Sequence, residues 1–359
     1  MISKAIKIYE QGSLDVLKIE EVNLKDLGSN EILIEHSFAG LNFIDINQRR
    51  GTYPLKNLPA VLGMEASGTV REIGSNVTKF NIGDKVTHCM NLGSFSQFMN
   101  LDQDKTIKLK KEVDLKIAAA STLQGLTSQY LINHSYKLKE HDTVLVHAAA
   151  GGVGQILCQW AKKIGANVIG TVSSQEKEKI AKQNGCSFTI NYSKDDFDKK
   201  VLEITNNKGV NIIYDSVGKD TFLKGINCLA SKGRIVSFGV SSGPIDPINI
   251  NMLRSFSGSI STGGLNTYIK DANEMQMNAD TFFDMIINKD LQININKTFY
   301  IDERGNKIDT GNGLKPILDD FDATLIPYEK NQNVRRQDLI DFLIARRSII
   351  DLLEDKKLT

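Results

Sequence analysis

Apolar positions along the chain follow two rhythms. Up to about Gln124 they come in short runs broken by turn residues, as in Glu31–Glu35 (EILIE), Gly68–Ile73 (GTVREI) and Gly83–Thr87 (GDKVT). Short strands separated by Gly, Asn and Asp predict a compact β-rich domain. Leu115–Leu131 changes to helical spacing, with Ala118, Ala119, Ala120, Leu123 and Leu126 along one face. From Thr143 onward, runs rich in β-branched residues alternate with polar stretches of helical length. The runs Val144–His147, Asn167–Val172, Phe188–Asn191, Asn211–Asp215 and Arg234–Phe238, with a shorter one near Ser257–Ser261, predict a parallel, doubly wound sheet. Past residue 304 the rhythm changes again. Gly305–Gly313 is polar and turn-rich, and Arg335–Lys357 has the apolar stripe of an amphipathic helix.

With 359 residues the chain is too long for one ordinary core and suits two domains. It carries 44 basic and 43 acidic side chains, a net charge of +1, which gives no general attraction to nucleic acid or to an anionic membrane. Charges interrupt the apolar positions of Met1–Glu10, which does not read as a secretory leader. No stretch approaches the roughly 20 apolar residues that span a bilayer. Cys89, Cys158, Cys186 and Cys228 have long, irregular gaps and read as reduced, buried thiols. A cytoplasmic location is expected.

The chemistry is concentrated at Val144–Gly154 (VLVHAAAGGVG), where a buried strand runs into small residues and a helix begins at once. Small residues let the backbone approach a pyrophosphate, and a helix N-terminus offers free N–H groups. Ala149 replaces the first glycine of GxGxxG, so two readings stand: a dinucleotide turn, or a plain strand-to-helix turn. The next strand ends at Ser173 and Ser174, with Lys177 following, where an NAD site would usually carry an acid for the ribose 2′-hydroxyl. Hydroxyls and a lysine there suit the 2′-phosphate of NADPH. The alternative is that Lys177 is one more solvated helix lysine beside Lys179 and Lys182.

His147–Gly154 with Cys158–Lys162 resembles the quinone oxidoreductase (zeta-crystallin-like) branch of the zinc-independent medium-chain dehydrogenases/reductases. Gly40–Asp45 (GLNFID), Gly63–Gly68 (GMEASG), Gly125–Thr127, Ile190–Tyr192, Tyr214–Gly218 (YDSVG) and Val236–Gly239 agree with it in order along the chain. The resemblance implies an α/β protein: a GroES-like β-barrel catalytic domain over 1–125, a Rossmann NADPH-binding domain over 126–265, and a return to the catalytic domain over 266–359 with an atypical helical ending. It implies a cofactor in the cleft between domains and a homodimer. Carried over by residue, Asn42 and Asp45 lie near the nicotinamide and Tyr53 on the wall of the substrate pocket. Thr127, Gly151, Gly152, Val153, Gly154, Ser173, Lys177, Tyr192, Phe238 and Ser241 bind the cofactor. Asn47 departs from a tyrosine often found at its position. Without the resemblance, Asn42 and Asp45 could equally order a turn, and Tyr53 could pack on a loop.

Related alcohol dehydrogenases hold a catalytic zinc through a cysteine and a histidine, and the resemblance puts Asn42 and Met64 at those places. An amide and a thioether do not replace thiolate and imidazole at a tetrahedral zinc, so no metal is expected, and Glu65 reads as a structural acid. Without a Lewis acid, the expected reaction is reduction of an acceptor that is already electron-poor: hydride or single-electron transfer from NADPH to a quinone. NADPH-dependent reduction of α,β-unsaturated aldehydes or ketones is the alternative. A non-enzymatic NADPH-binding or RNA-binding protein is the reading from another class.

Overall fold

The computed structural model describes residues 1–295 and the backbones of three further strands, Tyr300–Ile301, Lys307–Ile308 and Thr324–Pro327. The chain forms two compact units. One comprises Met1–Leu123, Asp271–Gln276 and the described residues from Ile293 onward; the other comprises Gln124–Lys270 and Met277–Gln292. The predicted helix Arg335–Lys357 lies outside the described residues.

In the first unit β1 (Ile2–Ile8) pairs antiparallel with β2 (Lys18–Asn23) and, at its other edge, with the short strand β4 (Ala60–Val61). The long strand β3 (Glu31–Leu41) pairs antiparallel with β5 (Glu65–Ile73), which pairs with β6 (Lys85–Cys89). The first half of β3 also pairs with β7 (Phe98–Asp102), and β6 with β8 (Ile107–Lys108). Apolar positions spaced by two put Ile32 and Ile34 of β3, Val70, Val86, Leu101 and Phe80 into one buried cluster. A second cluster gathers Ile6, Ile8, Leu41, Leu62, Ala66 and Phe95. Each such aliphatic side chain contributes about 1.5–3 kcal/mol when fully buried.

Helix α1 (Phe43–Arg50) follows β3 directly and stops at Gly51, whose φ of 89° is the left-handed conformation that glycine adopts without strain. The predicted helix over 115–131 is α2 (Leu115–Tyr130), continued by one π turn over Leu131–Ser135; the division between the units, at Leu123/Gln124, falls inside α2.

Among the described residues, the second unit holds six parallel strands: β9 (Thr143–Val146), β10 (Asn167–Val172), β11 (Phe188–Asn191), β12 (Val210–Asp215), β13 (Leu229–Ser237) and β14 (Ser259–Thr262). Helices α3 (Gly152–Ile164), α4 (Gln175–Gln183), α5 (Phe197–Ile204) and α6 (Phe222–Ile226) connect them. The spatial order is β11-β10-β9-β12-β13-β14, the doubly wound Rossmann order, which reverses direction between β9 and β12. Strand β13 begins at Leu229 rather than at Arg234, as the hydrophobic pattern suggested. Its first half carries the exposed Ser231 and Lys232, the latter at a φ of 62°, and the pairing with β12 shifts register there, so the apolar alternation is lost.

The chain then forms α7 (Leu265–Tyr268) and α8 (Ala272–Ile287). Strand β15 (Tyr300–Ile301) pairs with β16 (Lys307–Ile308). Strand β17 (Thr324–Pro327) pairs antiparallel with β3, Thr324 opposite Leu41 and Pro327 opposite Phe38. The ending thus adds a strand to the sheet of the first unit.

Candidate active site

In open parallel sheets ligands bind beyond the carboxyl ends of the strands, where the strand order reverses. Strand β9 ends at that point and passes through His147 and Ala148 into α3, with Gly151 as N-cap. A Cβ on Gly154 would lie 2.3 Å from the Ala148 carbonyl oxygen, and one on Gly152 would lie 2.5 Å from Gln124 Oε1. The turn therefore packs so closely that only glycine fits at 154. Gly151 and Val153 complete the first turn of the helix, half-buried beside them.

The ends of β10 and β11 bring three of the sequence candidates together. Lys177, in the first turn of α4, donates from Nζ to Ser173 Oγ at 3.2 Å, and the Tyr192 hydroxyl bonds the Ser173 side chain. Ser174 has a different task, accepting from Lys177 N at 3.3 Å as the N-cap of α4. Phe238 and Ser241 follow β13, held by backbone bonds from Phe238 N to Asp215 O (2.9 Å) and from Ser241 N to Ser216 O (3.2 Å). Thr127 is buried on α2. The sequence reading passed over Asp215, at the end of β12. It is fully buried, and its carboxylate accepts from Val217 N (2.7 Å), Gly218 N (2.9 Å) and Thr221 Oγ1 (2.8 Å), shaping the loop after the strand.

The remaining candidates lie in the first unit. Asn42 is the N-cap of α1, and Asp45 accepts from Asn42 N at 2.7 Å through Oδ2. Both residues do order the start of a helix. The Asn42 amide also donates from Nδ2 to Glu65 Oε2 at 2.7 Å. Met64 is buried, its sulfur accepting from Gln48 Nε2 at 3.4 Å. Tyr53 is half-buried in the loop after α1, tied through its backbone to Asn47 O (3.1 Å) and Gln11 Nε2 (3.1 Å). Among the described residues no group of three His, Cys, Asp or Glu side chains gathers as a metal site.

Burial pushes the Asp45 carboxyl up to about 7, against the Asn42 and Met64 backbone donors that favour its charged form. In the unfolded chain it titrates near 4. The folded state therefore binds the extra proton between these values, and Asp45 makes stability fall as pH rises from about 4 to 7, by roughly 4 kcal/mol. Asp45→Asn cannot titrate and should gain on wild type across that window. Urea unfolding at pH 4.5 and 7.5 checks this; parallel pH dependences in the two proteins would count against it.

His36 and His88, assigned nothing in the sequence, form a buried pair with Nε2···Nε2 at 3.0 Å. Burial lowers His36 to about 4, and His88 falls well below its ordinary value for the same reason. Because His36 Nδ1 donates to Ser96 O at 2.8 Å, its Nε2 is the acceptor and His88 Nε2–H the donor.

Two family patterns match the chain: the alcohol dehydrogenase GroES-like domain over residues 28–111 and the zinc-binding dehydrogenase domain over residues 152–287. Together with the Rossmann sheet they define a medium-chain dehydrogenase/reductase. A quinone oxidoreductase of Pseudomonas aeruginosa is 40% identical over 84% of this chain and 94% of its own length. A 2-haloacrylate reductase of a Burkholderia species is 39% identical over 84% and 93%. The crystal structure of Escherichia coli quinone oxidoreductase complexed with NADPH superimposes with a TM-score of 0.79 at 37% identity, covering 82% of this chain and 92% of that one. The chain belongs to the zinc-independent quinone oxidoreductase family of medium-chain dehydrogenases/reductases.

Proposed function

We propose that this chain is an NADPH:quinone oxidoreductase, moving a hydride, or single electrons, from NADPH to a quinone. The observation that carries the cofactor is the Ser173–Lys177–Tyr192 cluster beside the glycine turn, a hydroxyl and ammonium group with no acid at the end of the second Rossmann strand. A dinucleotide fits there. The close packing at Gly154 would hold the start of α3 against the turn, so that the N–H groups opening the helix face the pyrophosphate, and the cluster would take the 2′-phosphate. When bound, the nicotinamide supplies the hydride. Thr127, Phe238 and Ser241 are assigned to the nicotinamide end of the second unit, and Asn42, Asp45 and Tyr53 of the first unit to the acceptor. Asp45 holds its carboxyl proton to about pH 7 at the start of α1. Catalysis of this kind rests mainly on keeping donor and acceptor about 3–3.5 Å apart and aligned.

The likeness to a 2-haloacrylate reductase keeps a second reading open, reduction of a carbon–carbon double bond conjugated to a carbonyl or carboxyl group. NADPH oxidation against a panel of quinones, enals, enones and 2-haloacrylates separates the two, and inactivity on the whole panel would overturn both. A homodimer working in the cytoplasm belongs to the same proposal. Among the described residues no helix is long and apolar enough to cross a membrane. With Asn42 bonded to Glu65 and Met64 to Gln48, exhaustive chelation should leave the turnover rate unchanged. Loss of activity that zinc restores would contradict this.

A further inference from the structure

We infer that Glu65 is the positioning residue for Asn42, a role that rests on the assignment of Asn42 to the acceptor side. Glu65 opens β5 and has no exposed surface. Its Oε2 accepts from Asn42 Nδ2 at 2.7 Å, and its Oε1 accepts from Leu123 N at 2.7 Å, with the Thr122 backbone as a further donor. Helix-interior amides ordinarily spend their N–H groups within the helix; here the interior of α2 reaches a side chain on another element. Strand β3 makes room for the arrangement. A Cβ on Gly40 would lie 2.6 Å from Glu65 Oε2 and 2.2 Å from the Ala119 carbonyl oxygen. Three elements are therefore shaped around one carboxyl group.

A buried carboxyl without a cation is a costly structural part, and a well-packed apolar side chain would serve packing alone at least as well. What an apolar side chain cannot do is hold the Asn42 carboxamide by an accepting oxygen. Because the N-cap fixes the Asn42 backbone and Glu65 fixes its amide, both ends of that side chain are set before an acceptor arrives. The titratable groups facing Glu65 are Asp45 on α1 and Cys89, its register partner on β6. Burial, reinforced by Asp45, pushes Glu65 up to about 8, against the donors from Asn42 and α2.

The test is a double-mutant cycle in the intact chain, with Glu65→Gln and Asn42→Ala assayed on the best acceptor of the panel. Glu65→Gln keeps the volume but presents an N–H2 group to one of the donors. We expect kcat to fall about 10- to 100-fold, with the NADPH Kd unchanged. The double variant should be no slower than Asn42→Ala, since Glu65 acts through Asn42. In wild type, kcat should rise as pH passes through the Glu65 titration and its carboxylate forms, and Glu65→Gln should lack that rise. Should Glu65→Gln fail to fold, Asn42→Ala alone decides. Because Glu65 acts through the Asn42 amide, that variant should lose the pH-dependent rise in kcat altogether, so a rise retained in it overturns the inference. Full kcat in Glu65→Gln, or losses that multiply in the double variant, would do the same while leaving the proposed function intact. A wild type inactive on every acceptor overturns both.

Discussion

Gly154→Ala is expected to abolish NADPH binding, by about a hundredfold or more in affinity, and to weaken NADH to the same degree. The added carbon would stand 2.3 Å from the Ala148 carbonyl oxygen and 2.9 Å from the Ala149 Cα, both backbone atoms that cannot swing aside. Either the turn or the start of α3 has to move, and that start is the surface meant to meet the pyrophosphate. Gly152→Ala is the internal control. Its new carbon would meet Gln124 Oε1 at 2.5 Å, the end of a side chain that can rotate away. The Gly152 variant should thus lose much less affinity than the Gly154 variant. Calorimetric titration of both nucleotides into folded protein, with circular dichroism as a check on structure, ranks them. Equal losses at the two positions would contradict the packing argument.

Lys177→Ala should weaken NADPH roughly tenfold or more while leaving NADH nearly unchanged, because a charge-assisted hydrogen bond contributes about 1.5–3 kcal/mol. The lysine is half-buried and its Nζ is already directed at Ser173 Oγ, 3.2 Å away, so little ordering is needed for both groups to meet a phosphate. Ser174 contributes to α4 rather than to this cluster, so Ser173→Ala should shift the NADPH/NADH ratio and Ser174→Ala should mainly lower stability. Salt should erode NADPH binding more than NADH binding. The ratio of the two kcat/KM values in wild type and in Lys177→Ala is decisive. A wild-type preference for NADH, or an equal loss on both cofactors, would sink the assignment.

Much of the second unit was legible in the sequence because parallel strands are buried on both faces and read as continuous β-branched runs. Five of the expected runs coincide with strands to within a residue or two; β13 escaped in its first half, where exposed Ser231 and Lys232 interrupt the run. The glycine turn was equally visible, since its requirement is local. What the sequence hid is long-range. His36 and His88 stand on the two strands that flank β5, opposite Gly68 and Ala66, and only these small partners let the rings meet across it. The buried thiols Cys158 and Cys186 lie 3.4 Å apart through the packing of α3 against the turn between α4 and β11, with nothing in their spacing to announce it. Glu65 was legible as a structural acid, but its partners, Asn42 and the interior of α2, were not, because both are set by tertiary structure.

The pairing of β17 with β3 bears on how the chain is made. Strand β3 shares one edge between two partners: β7 covers Glu31–Glu35, and β17 covers Phe38–Leu41. The first partner is synthesised soon after β3, the second only near the end of the chain. At a synthesis rate of ~5–20 residues per second, the Phe38–Leu41 edge waits on the order of tens of seconds for its strand. All six strands of the second sheet emerge within that interval and can close. Among the described strands, the N-terminal sheet is therefore begun before the second sheet and completed after it. Its open edge, a row of unpaired N–H and C=O groups, is the place where a nascent chain of this protein is exposed to chaperones and to other copies of itself.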